Sequence, residues 1–155
     1  MVLGLLTFAL PNVILHGQTA TSRTNVRSLL TIGVVQNAIE FTESGCKLWL
    51  LPETYSAERY IFLSDDEGHA IVNLDGRDTK LNLVRSKEPE EEPRKGDRSS
   101  YWYKGDVIVV RVDYVVTGLC PADDESCEVV YYRATIVVEK RSVKQTLAAQ
   151  GICGS

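Results

Sequence analysis

Histidine, the residue on which neutral-pH general base chemistry most often rests, occurs only twice in this chain, as His16 and His69. The chain has no G-x-S-x-G elbow, no H-E-x-x-H pair and no phosphate-cradling glycine loop, which removes the common hydrolase, metalloprotease and nucleotide-binding signatures. No C-x-x-C pair occurs among its four cysteines, so neither dithiol redox chemistry nor a four-thiolate zinc site has the spacing it needs. Positive charge is not in excess: Lys and Arg number 17 against 21 Asp and Glu, for a formal net charge of −4. That balance argues against a nucleic acid partner, which draws on clustered cations. No internal repeat and no long amphipathic helical pattern is present. The one long apolar run, Val2 to Leu15, is about 14 residues, short of the roughly 20 that span a bilayer.

That run matches the apolar core of a secretory signal, and the polar and small residues after it, His16 to Ala20, provide a cleavage region. No Lys or Arg precedes it, and Pro11 interrupts it. Residues 1–22 are therefore expected to be a secretory signal or flexible lead, and 28–155 a single β-rich domain. The expected location is secreted or periplasmic, with no membrane span in the mature protein. At 155 residues, the chain is long enough to bury a core of its own.

An even cysteine count in an exported chain reads as a disulfide framework. Cys120 and Cys127 close one short polar loop between two long β-branched segments, which pairs them and leaves Cys46 to pair with Cys153. The strand signals are strongest in the second half. Asp106 to Val116 and Glu128 to Val138 are similar in length and suited to antiparallel pairing. Asp75-Gly76 between Ala70–Leu74 and Thr79–Val84 supplies the positive φ angles of a tight hairpin. Cys46–Leu51 and Arg59–Leu63 read as shorter strands. Ser28–Phe41 fits a strand or a short helix, and Ser142–Ala149 a strand or a turn of helix. Residues 86–100, SKEPEEEPRKGDRSS, have almost nothing apolar to bury and are expected to form an exposed, mobile loop. The fold class is mainly β, an antiparallel β-sandwich or small β-barrel reinforced by disulfides.

His69 has Asp65 and Asp66 nearby in sequence and could serve as a base. Neighbours within one turn rarely make a catalytic constellation, so His69 reads as a surface turn residue. Asp123-Asp124-Glu125 and Asp65-Asp66-Glu67 offer hard oxygen ligands but lack the spacing of a calcium loop. No catalytic residue, metal or cofactor is assigned. Tyr101, Trp102 and Tyr103, with Trp49, Tyr131 and Tyr132, supply aromatic surface for a glycan or a protein. Strand alternation puts Tyr101 and Tyr103 on one face and Trp102 on the other.

The W-x-K-G-D stretch from Trp102 to Asp106 resembles one in the small periplasmic lysozyme inhibitors, which are disulfide-tied β-barrels. The resemblance covers this stretch alone, without that family's other signatures, and does not assign the chain to it. The expected function is a non-enzymatic binding or interaction domain of an extracytoplasmic space. An inhibitor of a secreted or cell-wall hydrolase is one form of it. A hydrolase built on scattered carboxylates, which leave no local motif, and a structural envelope component are the alternatives. Convergent carboxylates in a pocket would point to the enzyme, a protruding loop or flat aromatic patch to the binder.

Overall fold

A computed structural model describes residues 30–38, 41, 44–51, 59–121, 123–124 and 126–154. The expected signal, residues 1–22, lies outside them. The described chain forms nine strands: β1 (Ile32–Gly33), β2 (Gly45–Leu50), β3 (Phe62–Ser64), β4 (His69–Leu74), β5 (Arg77–Lys87), β6 (Arg98–Lys104), β7 (Ile108–Leu119), β8 (Val129–Lys140) and β9 (Val143–Gly154). Each strand from β2 to β9 pairs antiparallel with the next in sequence, and β9 returns to pair with β2. The result is a closed eight-stranded up-and-down barrel, to which β1 adds a short pairing with β4.

This decides between the two expected architectures in favour of the barrel. The alternation of apolar and polar residues along a strand is the same in a sandwich and a barrel. What separates them is the β2–β9 seam, six register pairs from Gly45↔Gly154 to Leu50↔Ala149, with Cys46 directly opposite Cys153. Both expected disulfides, Cys46–Cys153 and Cys120–Cys127, are present. Gly151 makes the seam possible, because a Cβ there would collide with the Lys47 carbonyl and the Leu48 side chain.

The barrel interior is filled through most of its length. On β7 the inward residues are Ile108, Val110, Val112, Tyr114 and Val116, all buried, while the residues between them are exposed or half-buried. Val110 lies opposite Val138, Val112 opposite Ile136, and Tyr114 opposite Ala134. The branched aliphatic pairs fill the narrow interior, and the small Ala134 leaves room for the Tyr114 ring. Phe62, Val72 and Leu81 complete the core from β3, β4 and β5.

The two ends differ. One carries tight turns: Asp75-Gly76 with φ of 53° and 80°, the turn after β6 closed by Gly105 N–H to the Ile108 carbonyl, and Arg141 at φ 56°. Positive φ at both Asp75 and Gly76 is the geometry that the hairpin sequence predicts. Leu30 is buried in the barrel core cluster at this end, and Thr31 and Asp75 exchange hydrogen bonds. The opposite end carries the β3–β4, β5–β6 and β7–β8 connections. Register shifts at Leu83/Arg85 and Val116/Gly118 lie towards it, and such bulges bend strands as a sheet curls closed.

Two segments depart from expectation. The expected loop 86–100 is shorter: Ser86 and Lys87 continue β5, residues 98–100 begin β6, and only 88–97 connect them. Backbone pairing carries the strands past the point where side chains stop being apolar, as Lys87↔Ser100 shows. Within the connection, Gly96 N–H donates to the Val116 carbonyl and Val116 N–H to the Asp97 carbonyl. Among its described residues, the segment before β2 contributes only the two of β1 as strand. Val35, Ala38 and Phe41 instead pack on the outer face of the barrel over Trp49, Tyr60, Leu63 and Ile71.

Asp78 anchors that segment. Its carboxylate accepts from the backbone N–H groups of Gln36 and Asn37 and from the side-chain amides of Asn37 and Asn73, at 2.7–3.2 Å. Desolvation pushes the Asp78 carboxyl up, but these hydrogen bonds outweigh it and hold the group below its ordinary range. A depressed folded pKa contributes stability above the unfolded value, about 3.9, that is lost as pH falls through the folded one. The outer segment should therefore detach below about pH 4. With Trp102→Phe leaving Trp49 as the sole tryptophan, its emission should shift red on acidification. Asp78→Asn should show that shift already at pH 7; an unchanged spectrum in that variant would refute the anchor.

The bridges should also differ in worth. In the chain-entropy account, the 107-residue separation of Cys46–Cys153 and the 7-residue separation of Cys120–Cys127 correspond to about 5 and about 2.5 kcal/mol. Urea denaturation of the two paired Cys→Ser variants measures this, and a larger loss from the short bridge would contradict it.

Candidate functional site

A cavity of about 390 Å³ opens at the end of the barrel that carries the longer connections. It exists because the inward residues change character there. Below it the interior is aliphatic; at its level β6, β7 and β8 turn tyrosines inward. Tyr101, Tyr103, Tyr114 and Tyr132 all line it, with Cys46 and Cys153 of the seam on the opposite wall.

The tyrosines form a continuous aromatic wall. Tyr101 and Tyr103, two residues apart on β6, are stacked with centroids 6.5 Å apart. Tyr101 meets Tyr114 edge-on at 5.5 Å, Tyr114 meets Tyr132 at 5.2 Å, and Phe62 meets Tyr103 at 5.4 Å. Such contacts hold rings in fixed orientations. Burial is the main reason that all four hydroxyls titrate above their ordinary value. For Tyr101 a hydrogen bond to the Glu88 carboxylate adds to it, and Tyr103 is pushed up to about 12 although Ser64 hydrogen bonds its hydroxyl. The four groups are thus neutral hydrogen-bonding groups near neutral pH. Tyr114 is 2% exposed, and its hydroxyl has no hydrogen-bond partner among the described residues. An unpaired buried hydroxyl is costly, which makes it the atom in this wall most in need of a partner.

The rim is acidic. Asp65, Asp66 and Glu67 reach the cavity from the β3–β4 turn and Glu88 from the end of β5. Asp65 also organises its turn: one oxygen accepts the His69 backbone N–H at 2.7 Å and the other lies 3.0 Å from His69 Nδ1. His69, expected in the turn, is instead the exposed first residue of β4, and its contacts with Asp65 close the turn from the strand side. Asp65, Glu67 and His69 bring possible metal-ligand atoms within 4.8 Å of one another. The Asp65–His69 turn contacts account for that grouping without an ion. At the β7–β8 connection Asp124 accepts from the Ser126 hydroxyl and backbone N–H, again a turn contact.

The expected aromatic trio is split by the strand. Tyr101 and Tyr103 point into the cavity, whereas Trp102 lies on the outer surface, where the Arg85 guanidinium sits 4.7 Å from its ring centroid. Trp102, Val109 and Val137 border a depression of only about 100 Å³ on that face. Tyr132 lines the cavity, while its neighbour Tyr131 is exposed. Trp49 lies under the outer segment. Lys104 to Asp106, the rest of the W-x-K-G-D stretch, sits at the tight-turn end, away from the cavity. Sequence reading did not single out Tyr114 or Glu88. The signal for Tyr114 was its place in the period-2 series Val110, Val112, Tyr114, Val116.

Comparisons with protein-family models, curated proteins and solved structures gave no match to this chain.

Because its hydroxyl lacks a partner, Tyr114→Phe should leave the unliganded protein as stable as the parent, or up to about 1 kcal/mol more stable. Thermal unfolding measures this. A loss above about 1 kcal/mol would mean that the hydroxyl is satisfied in solution.

Proposed function

We propose that this chain is an exported binding protein that holds a small organic molecule in the tyrosine-lined mouth of its barrel. The observation that carries the reading is the cavity of about 390 Å³ walled by four tyrosines, with the buried Tyr114 hydroxyl left without a partner. A closed barrel with one blocked end and one open end is a cup, and the cavity volume falls within the roughly 300–1,000 Å³ of small-molecule sites. The two disulfides fit an oxidising extracytoplasmic setting, which supports a secreted or periplasmic location.

Binding to a protein or glycan, including hydrolase inhibition, would use the outer Trp102 face, whose depression is shallow. A carboxylate-dependent hydrolase is the second reading, favoured by the four carboxylates that share the opening. Against it, Asp65 is occupied by His69, and Asp66, Glu67 and Glu88 stand exposed on the rim rather than in the low-dielectric surroundings that tune a general acid.

Titration with N-phenyl-1-naphthylamine, an uncharged fluorescent ligand, should give saturable binding at one site per chain with a micromolar Kd. Ser99 faces Tyr114 across β6–β7 and lines the cavity, so Ser99→Trp should abolish that binding while the far-ultraviolet spectrum stays native. Non-saturable binding, or binding indifferent to Ser99→Trp, would overturn the proposal. Catalytic release of product from glycoside or ester substrates would favour the second reading.

A further inference from the structure

Resting on the reading of the barrel mouth as a ligand site, we infer that the molecule held there is a small organic cation, a protonated amine carried on an aromatic or apolar body. Three independent features of the cavity converge on this class. The first is charge. Asp65, Asp66, Glu67 and Glu88 line the opening, and none of the described residues lining it is a lysine or arginine. At the rim His69 Nδ1 lies 3.0 Å from Asp65, and Arg98 lines a separate space of about 180 Å³ beneath the 88–97 connection, where Glu91 and Asp97 accompany it. An anionic ligand entering the mouth would meet like charge, whereas a cation would exchange water for carboxylates.

The second feature is the wall. Aromatic faces attract cations through the negative potential above the ring, most strongly where water is excluded. Tyr101, Tyr103 and Tyr132 stand immediately inside the acidic rim, and Glu88 bonds the Tyr101 hydroxyl while its charge also acts on Tyr103 and Tyr132. An ammonium group at this level lies between carboxylates outside and ring faces inside. The third feature is Tyr114. Its hydroxyl, without a partner among the described residues, belongs to the most buried tyrosine of the wall, so a ligand that carries a hydroxyl or carbonyl as well as its amine would satisfy it. The volume, towards the lower end of the range for small-molecule sites, suits a molecule of about one to three rings.

A charge series on one ring tests this. Tyramine, tyrosol and 4-hydroxyphenylacetate share a phenol and differ in carrying a positive, a neutral and a negative side chain. Calorimetric titration of the disulfide-intact protein at low ionic strength should rank them in that order, with tyramine about tenfold or more tighter than the acid. Glu88→Gln should weaken tyramine several-fold more than it weakens tyrosol. Equal affinity for the three, or tightest binding of the acid, overturns the cation assignment and leaves the mouth standing as a site. Failure of all three while N-phenyl-1-naphthylamine still binds also overturns it. Failure of that dye as well removes the site itself.

Discussion

Every inward-facing side chain of this barrel takes its place from one pairing, that of β2 with β9. The other seven pairings join strands adjacent in sequence and need only a turn to form. The seam joins Gly45–Leu50 to residues about a hundred positions later, so it carries nearly the whole loop-closure cost of the fold. It is also a place of close backbone approach, since a Cβ on Gly151 would collide with the Lys47 carbonyl. Without the seam the sheet would be open, with two unpaired edges and its apolar face in water. With it, that face becomes an interior narrow enough for Val110, Val112, Ile136 and Val138 to fill. The cavity is a by-product of the same closure, since it begins where tyrosines replace these residues and the opposing wall is the seam itself.

The tyrosine wall shows how one strand serves two environments. On β6, Tyr101 and Tyr103 belong to the interior and Trp102 to the surface, where Arg85 covers it. The interior rings are held by edge and stacking contacts with one another, so their orientation depends on the set. The hydroxyls face different fates: Tyr101 is bonded to Glu88, Tyr103 to Ser64, and Tyr114 to nothing among the described residues. A site with two satisfied hydroxyls and one unsatisfied hydroxyl behind an acidic rim is the basis for expecting a ligand that carries a hydroxyl or carbonyl as well as its amine.

Much of the strand content could be read from the residues. The Asp75-Gly76 hairpin, the two long valine-rich strands and both disulfide pairings follow from turn chemistry, β-branched runs and loop geometry. Closure could not be read, because inward and outward alternation is identical in a sandwich. Ser142–Ala149 stayed ambiguous between strand and helix, because β9 turns small residues inward, Ala149 and Gly151, where other strands turn valine and isoleucine. The charged stretch 86–100 looked longer as a loop than it is, because strand pairing is a backbone property and does not stop where side chains become polar. The candidate site was the least readable part. Tyr101, Tyr103, Tyr114 and Tyr132 come from three strands and are unremarkable strand aromatics until register sets them side by side. Glu88 is one of many acidic residues in its segment.

The Cys46–Cys153 bridge has a topological consequence beyond its energetic one. It joins the first and last strands of the barrel, so residues 46–153 form a covalent ring that contains every turn between the eight strands. Hydrolysis of any single peptide bond within that ring opens it into a linear chain but releases no fragment. The strands on both sides of the nick stay tethered and keep their neighbours. The molecule is thereby a macrocycle in all but its outer segment, and a protease would have to cut it twice before any strand could diffuse away.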